Sequence, residues 1–410
     1  MNQRKLILFT FNLSIFLQVC LGAHAWFVWG LEKGIASQVS IIVFAIIALL
    51  YKRANGVILK RTPQTFFILC FFCLAYITSF KLSIPFLLGL FFRVIPLWVL
   101  ISLPEPSKVL KWVVKAFCIV LVPGIISYFI LLFVPNIPGF PCTKDGWSSS
   151  YNFWNYGFII KPMYAYNEAS QIRFNSVFLE PGYLGTLVSF LLYAIRFDFK
   201  SKVGRILILS EILSFSLAGY ILTFVGCFFY RISQRSSIIK ILFVFLVCFG
   251  FFEFAKYYND GDNHVNHLIV QRLQPDEEKG FVGNNRTGAA TDYYFNQILC
   301  SRQLFFGLGA DKIARINGTD GEIDKANKIH GAGYKIFIVT HGIVPAILFF
   351  LFYWISADSL CSVNRRYSRG FVLLIILTFL QAAYPDSNSW IIPFLLGIMS
   401  YEEQFYPLTK

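Results

Sequence analysis

The sequence predicts an all-α integral membrane protein of about twelve transmembrane helices with two large extracytoplasmic loops. Three observations predict it. Of 410 residues, 56% are hydrophobic and only 14% are charged, against about a quarter charged in soluble domains. Apolar runs of roughly 15 to 25 residues recur along the chain, about the length that crosses ~30 Å of hydrocarbon as helix. Basic residues gather in alternate connections, as the positive-inside rule requires of a chain that weaves through a bilayer. Residues 1–410 are read as one polytopic domain, without repeats or a soluble module.

The first five spans fall near residues 6–29, 36–51, 63–80, 82–103 and 112–134. Arg4/Lys5, Lys52/Arg53/Lys60/Arg61 and Lys108/Lys111/Lys115 lie on one side of them, whereas the intervening connections offer only Lys33 and Lys81. That asymmetry predicts a cytoplasmic N-terminus. The run from Leu6 is too long for a signal-peptide core and is kept as a span.

The first extracytoplasmic loop, residues 135–177, is rich in Pro, Gly and Trp and ends in Arg173-Phe174-Asn175. A sixth span, 178–195, opens with Glu180-Pro181-Gly182, a carboxylate in the first turn close to Arg173. Between the basic clusters around Arg196 and Arg231 only about 25 apolar residues remain, too few for two full spans. Two short helices meeting near Ser216 are expected there, or a re-entrant segment, with Glu211 facing protein.

A ninth span, 238–256, leads to the second loop, residues 257–333. Acidic and basic residues nearly balance in it, so it reads as a folded, water-facing segment. A helix is expected over 287–304, ended by Gly307-Leu308-Gly309. Spans at 334–355, 371–384 and 389–401 complete the chain and leave both termini cytoplasmic.

The net charge of +14 follows from this topology and does not argue for nucleic acid. The nine cysteines lie mostly in apolar runs and lack CxxC or Cys/His spacing, so neither a metal site nor a disulfide framework is expected. Cys142 and Cys300, one in each long loop, are the pair open to bridging.

Four motifs occur in order: Arg173-Phe-Asn-Ser-Val-Phe-Leu-Glu180-Pro181, Ser214-Phe-Ser216-Leu-Ala-Gly219, Arg286 followed by Phe306-Gly307-Leu308-Gly309, and His330 with Gly342 beyond it. The set resembles the O-antigen polymerase and O-antigen ligase superfamily of bacterial surface-polysaccharide assembly, along roughly residues 173–354. Two departures stand out. Ser216-Leu217-Ala218-Gly219 replaces the family's frequent Ser-Arg-Gly, and Gly331 follows His330 where Asn or Ser is frequent.

The resemblance implies a GT-C-like membrane glycosyltransferase of the bacterial inner membrane that works without cofactor or metal. Its substrates would be oligosaccharide repeat units on undecaprenyl pyrophosphate within the lipid bilayer, with a chain-length regulator and a flippase as protein partners. Arg173 and Arg286 would bind pyrophosphate or glycan through bidentate guanidinium bonds, with Glu180 beside them, and His330 would be the general base. A loop salt bridge is the alternative for each arginine, and an interface or capping role for His330; His341 is a second histidine in reach.

Arg93 is the basic residue deepest in an apolar run, either part of a substrate path or a structural partner of Glu211. Gly307 and Gly309 would cradle phosphate or form a turn, the turn being the commoner use. An O-antigen ligase acting on lipid A core is the nearest alternative function, and a lipid-linked oligosaccharide flippase the alternative class. The concentration of polar residues in loops, and not at the membrane midplane, favours an enzyme.

Overall fold

The structure is a computed structural model that describes residues 3–32, 34–55, 62–80, 83–145, 150–163, 173–234, 239–276, 280–281, 289–318, 333–382 and 384–405. It is a helical body. The first five helices are α1 (Gln3–Gly22), α2 (Gly34–Asn55), α3 (Thr62–Ser79), α4 (Ile84–Ile101) and α5 (Pro106–Phe133), with a short 3-10 turn, Trp26–Leu31, between α1 and α2. Next come α6 (Pro181–Ala194), α7 (Lys202–Ser214), α8 (Leu217–Ser233) and α9 (Ile239–Tyr257). The second loop contributes α10 (Ala289–Leu299), α11 (Gln303–Phe306) and α12 (Ala310–Gly318), before α13 (Gly333–His341), α14 (Ile343–Leu360), α15 (Arg365–Gln381) and α16 (Asn388–Phe405). Five of them, α1, α2, α4, α5 and α14, are long and apolar enough to cross a membrane; α3, α6 and α8 are shorter apolar helices.

Helix starts follow local chemistry. Ser83 accepts from Phe86 N ahead of α4, Ser201 from Gly204 N ahead of α7, and Asn364 from Tyr367 N ahead of α15, each satisfying an otherwise orphaned amide. The segment expected as a hairpin is two helices. Phe215 (φ 46°) ends α7, and Ser216 caps α8 by accepting from Gly219 N. Gly185 and Gly219 let α6 and α8 touch: a Cβ on Gly185 would lie 3.2 Å from the Gly219 Cα.

The core centres on α6 and α16. On α6 Leu184, Leu187, Val188, Phe190, Leu191, Leu192 and Tyr193 are all buried, as a helix apolar on every side must be. Tyr193 and Tyr367 donate to each other's main-chain carbonyls at 2.8 and 3.2 Å, which satisfies two deeply buried hydroxyls. The surface of the body is apolar too: Phe66, Phe67, Leu88, Phe91, Ile119 and Ile126 are exposed, a belt that suits lipid and not water.

The helix ends sort into two sets. At one end Arg4 bonds Asn55, Lys52 lies over Trp98, Ser107 N donates to Glu403, Arg196 bonds Gln404 and Asn364 reaches Ser233 O. This gathers the basic clusters that the sequence alternates along the chain. At the opposite end, the loop end, Ser387 and Ser389 bond Gly22 O, and Ala25 bridges Phe178.

Three details differ from the sequence reading. The expected span 334–355 is two helices broken at Gly342 (φ 88°), where a Cβ would stand 2.3 Å from Phe305 O. The first loop holds an antiparallel sheet, β1 (Phe140–Asp145), β2 (Ser150–Asn155) and β3 (Ile160–Pro162), and the second a two-residue pair, β4 (Pro275–Asp276) with β5 (Gly280–Phe281). The expected helix 287–304 is α10 and α11, separated at 300–302. Ile298 of α10, Ile313 of α12 and Val339 of α13 close a small core of their own.

Candidate functional site at the loop end

Arg173 sits on the tip of the α7/α8 hairpin. Its Nε donates to Ser214 O at 3.3 Å, and Phe174 N donates to Leu213 O at 3.0 Å. The hairpin tip is where α7 ends, so the carbonyls of its last turn are free of helix partners and can orient a guanidinium. Strand β3 runs on the other side: Ile160 N donates to Ser176 O, and Lys161 Nζ donates to Arg173 O at 3.1 Å. Lys161 also lies 5.0 Å from the centre of the Tyr128 ring on α5. Burial pulls its ammonium down to about 8.

Glu180 stands directly before α6 in extended conformation, and its side chain makes no cap bond. The segment ahead of it is stitched to the α1–α2 connection: Trp26 N donates to Val177 O, and Leu179 N to His24 O. Below the hairpin tip Glu211 faces protein, 1% exposed. Neither of its carboxyl oxygens has a hydrogen-bond partner among the described residues.

Arg93 does not pair with Glu211. It donates to Tyr76 Oη at 3.3 Å, and Tyr76 donates to Asp386 Oδ2 at 2.8 Å. These three line a cavity of about 90 Å³ with Gln18 and Asn388, which are bonded to each other at 2.8 Å. At the end of α13, His341 Nδ1 lies 2.8 Å from Ser79 O, with the ring between Phe80 and Phe337.

Gly307 and Gly309 form a turn. Leu308 N and Gly309 N donate to Val339 O and Thr340 O, and a Cβ on Gly307 would fall 2.4 Å from Thr340 O. They clamp the α13/α14 break. Cys142 and Cys300 are both free thiols. Arg286 and His330 lie outside the described residues.

Sequence reasoning missed one cluster. Glu32 Oε2 lies 3.0 Å from His24 Nδ1 and 2.5 Å from Lys144 Nζ, which joins the α1–α2 connection to β1. Burial raises the Glu32 carboxyl, but the hydrogen bond and charge of His24, then those of Lys144, outweigh it and hold the group below its ordinary range. His24 has left-handed backbone (φ 55°) and packs its ring edge on Tyr183. The glutamate and lysine are 112 residues apart, so no spacing rule could pair them.

No protein-family model matches this chain, and a comparison with curated proteins gives no match.

Proposed function

We propose that this chain is a membrane-embedded polysaccharide polymerase that joins lipid-pyrophosphate-linked oligosaccharide repeat units. The observation that carries this reading is the meeting of Arg173 with Ser214, 41 residues apart. Two of the four ordered motifs thereby form one place, at the end of the body where the long loops emerge. Many apolar helices and basic residues gathered at the opposite end suit a multi-span protein whose loop end faces away from the cytoplasm.

In the reaction the acceptor sugar hydroxyl attacks the donor's anomeric carbon. The bond from that carbon to the pyrophosphate oxygen breaks, and the hydroxyl proton passes to a base. Arginine suits the departing pyrophosphate because its planar fork makes paired, charge-assisted bonds. In this reading Arg173 and Arg286 take that role, Glu180 helps to bind the substrate, and His330 takes the proton.

Deleting the gene tests the class. A polymerase deletion leaves surface glycan with single repeat units, seen as loss of the ladder on a gel. Core without any repeats, with long chains retained on the carrier lipid, would instead identify a ligase. Units trapped inside would identify a flippase.

A further inference from the structure

The cavity beside Arg93 is lined by two kinds of surface. Its polar side is formed by Gln18 of α1, Ser37 of α2, Tyr76 of α3, Arg93 of α4, Asp386 in the turn before α16 and Asn388 at the start of that helix. Phe44, Phe72 and Leu97 form much of the rest. The polar side is built at the loop end. Gln18 lies near the end of α1, whose Gly22 carbonyl holds Ser387 and Ser389, and the chain just beyond bonds at His24 and Trp26 to the segment that leads into α6. The apolar side lies deeper, with Phe44 midway along α2 and Leu97 in the far half of α4.

Charge in the lining is balanced. Arg93 and Asp386 are joined through Tyr76 at 3.3 and 2.8 Å, and Asn388 donates to Gln18 Oε1 at 2.8 Å. These bonds leave both donors and acceptors to spare, because guanidinium, carboxylate and amide groups each make several hydrogen bonds. An anionic guest would meet Asp386, a cationic one would meet Arg93, and an apolar one would leave the remaining bonds unmade. Water suits the polar side but finds no partner against Phe44, Phe72 and Leu97, whereas a buried water needs about two to four. We propose that this cavity seats one neutral sugar ring, with hydroxyls on the polar side and a C–H face on the apolar side. Each sugar hydroxyl both donates and accepts, as the lining does. A volume of about 90 Å³, where one water needs about 10–15 Å³, suits a single ring and not a chain. That the ring belongs to the lipid-linked repeat unit, so that the cavity selects which sugar is accepted, rests on the polymerase reading; the seat itself does not.

The test is saturation-transfer NMR on the full chain in phosphatidylcholine nanodiscs. The probes are the methyl glycosides of glucose, galactose, mannose and N-acetylglucosamine, with glucuronate and cyclohexanol as anionic and apolar comparators. At least one neutral glycoside should bind wild type, more tightly than either comparator. Gln18→Leu/Asn388→Leu removes both members of one hydrogen-bonded pair, so neither is left buried alone. It should weaken that glycoside by about tenfold or more, the equivalent of one or two lost hydrogen bonds. Ser37→Leu puts bulk into the cavity wall and leaves every described hydrogen bond in place, and it should weaken the same glycoside.

No binding by any of the four glycosides overturns the proposal and leaves the cavity to water. Glucuronate binding more tightly than all four makes it an anion seat, and cyclohexanol binding as tightly makes it an apolar hole; either result also overturns the proposal. So does a glycoside that binds both variants like wild type, since it then sits elsewhere. If the double variant fails to fold, Ser37→Leu decides. The assay needs no chain growth, so its failure and a persistent ladder in the deletion strain are separate results.

Discussion

Arg93 on α4 and Glu211 on α7 are both charges set deep in apolar helices, and the fold treats them in opposite ways. Arg93 is tied through Tyr76 to Asp386, and the chain of contacts fastens the turn at Asp386 to α3 and α4. Glu211 has no hydrogen-bond donor among the described residues and packs its carboxyl group against Gly219. Depth in an apolar run therefore does not say what a charge is for. The partner does: a buried cation with a matched acid holds elements together, whereas a buried acid without donors is no anchor.

The largest effect should come from breaking the first arrangement. Arg93→Ala leaves Tyr76 and Asp386 without the cation they share, beside a cavity of about 90 Å³, and should destabilise by about 3–5 kcal/mol, read as a lowered unfolding midpoint in detergent. Adding Asp386→Asn should recover part of that loss. An Arg93→Ala protein as stable as wild type would break the comparison.

A smaller effect is expected at the Glu32–Lys144–His24 cluster, whose side chains are 12%, 10% and 26% exposed. Glu32→Gln should cost roughly 1.5–3 kcal/mol, the range for a hydrogen bond to a charged group. The sign of its pH dependence is fixed by the direction of the shift. A carboxyl held below its ordinary range contributes fully above that range and loses its contribution as pH falls through its depressed value. Hydrogen exchange along β1 should therefore quicken in acid for wild type, and the acid limb should vanish in Glu32→Gln. An unchanged limb would mean that another group docks the sheet.

Glu211→Gln should do least, within about 1 kcal/mol, because it keeps the shape of a side chain that has no hydrogen-bond partner among the described residues. A loss comparable to that of Arg93→Ala would show that the two charges are alike after all, and that Glu211 has a donor.

These outcomes bear on what the sequence could disclose. The helices were legible because a bilayer-length apolar run has few other uses, and the hairpin because two basic clusters needed one side with too few residues between them. The close of α11 at Gly307 was legible as a glycine after a helix. The break at Gly342 was not, since the backbone that crowds this position, at Phe305, belongs to another element. Arg93 could be recognised as unusual, but its acid is reached through a bond spanning 310 residues. Lys161 gave no signal at all. It lies in a turn-rich loop with no periodicity, and only the sheet turns its side chain toward a neighbour 12 positions away.

The shortness of α7 has a consequence for how the hairpin tip is reached. Thirteen residues rise about 20 Å, roughly a third short of a ~30 Å hydrocarbon layer. The hairpin rises from the basic end, so its tip, and with it Arg173, stops well below the level at which a full-length helix would surface. On the membrane reading the tip then lies within the depth of the layer, where a group carried on a lipid tail would arrive by sliding sideways, while a sugar dissolved in water would have to sink to meet it.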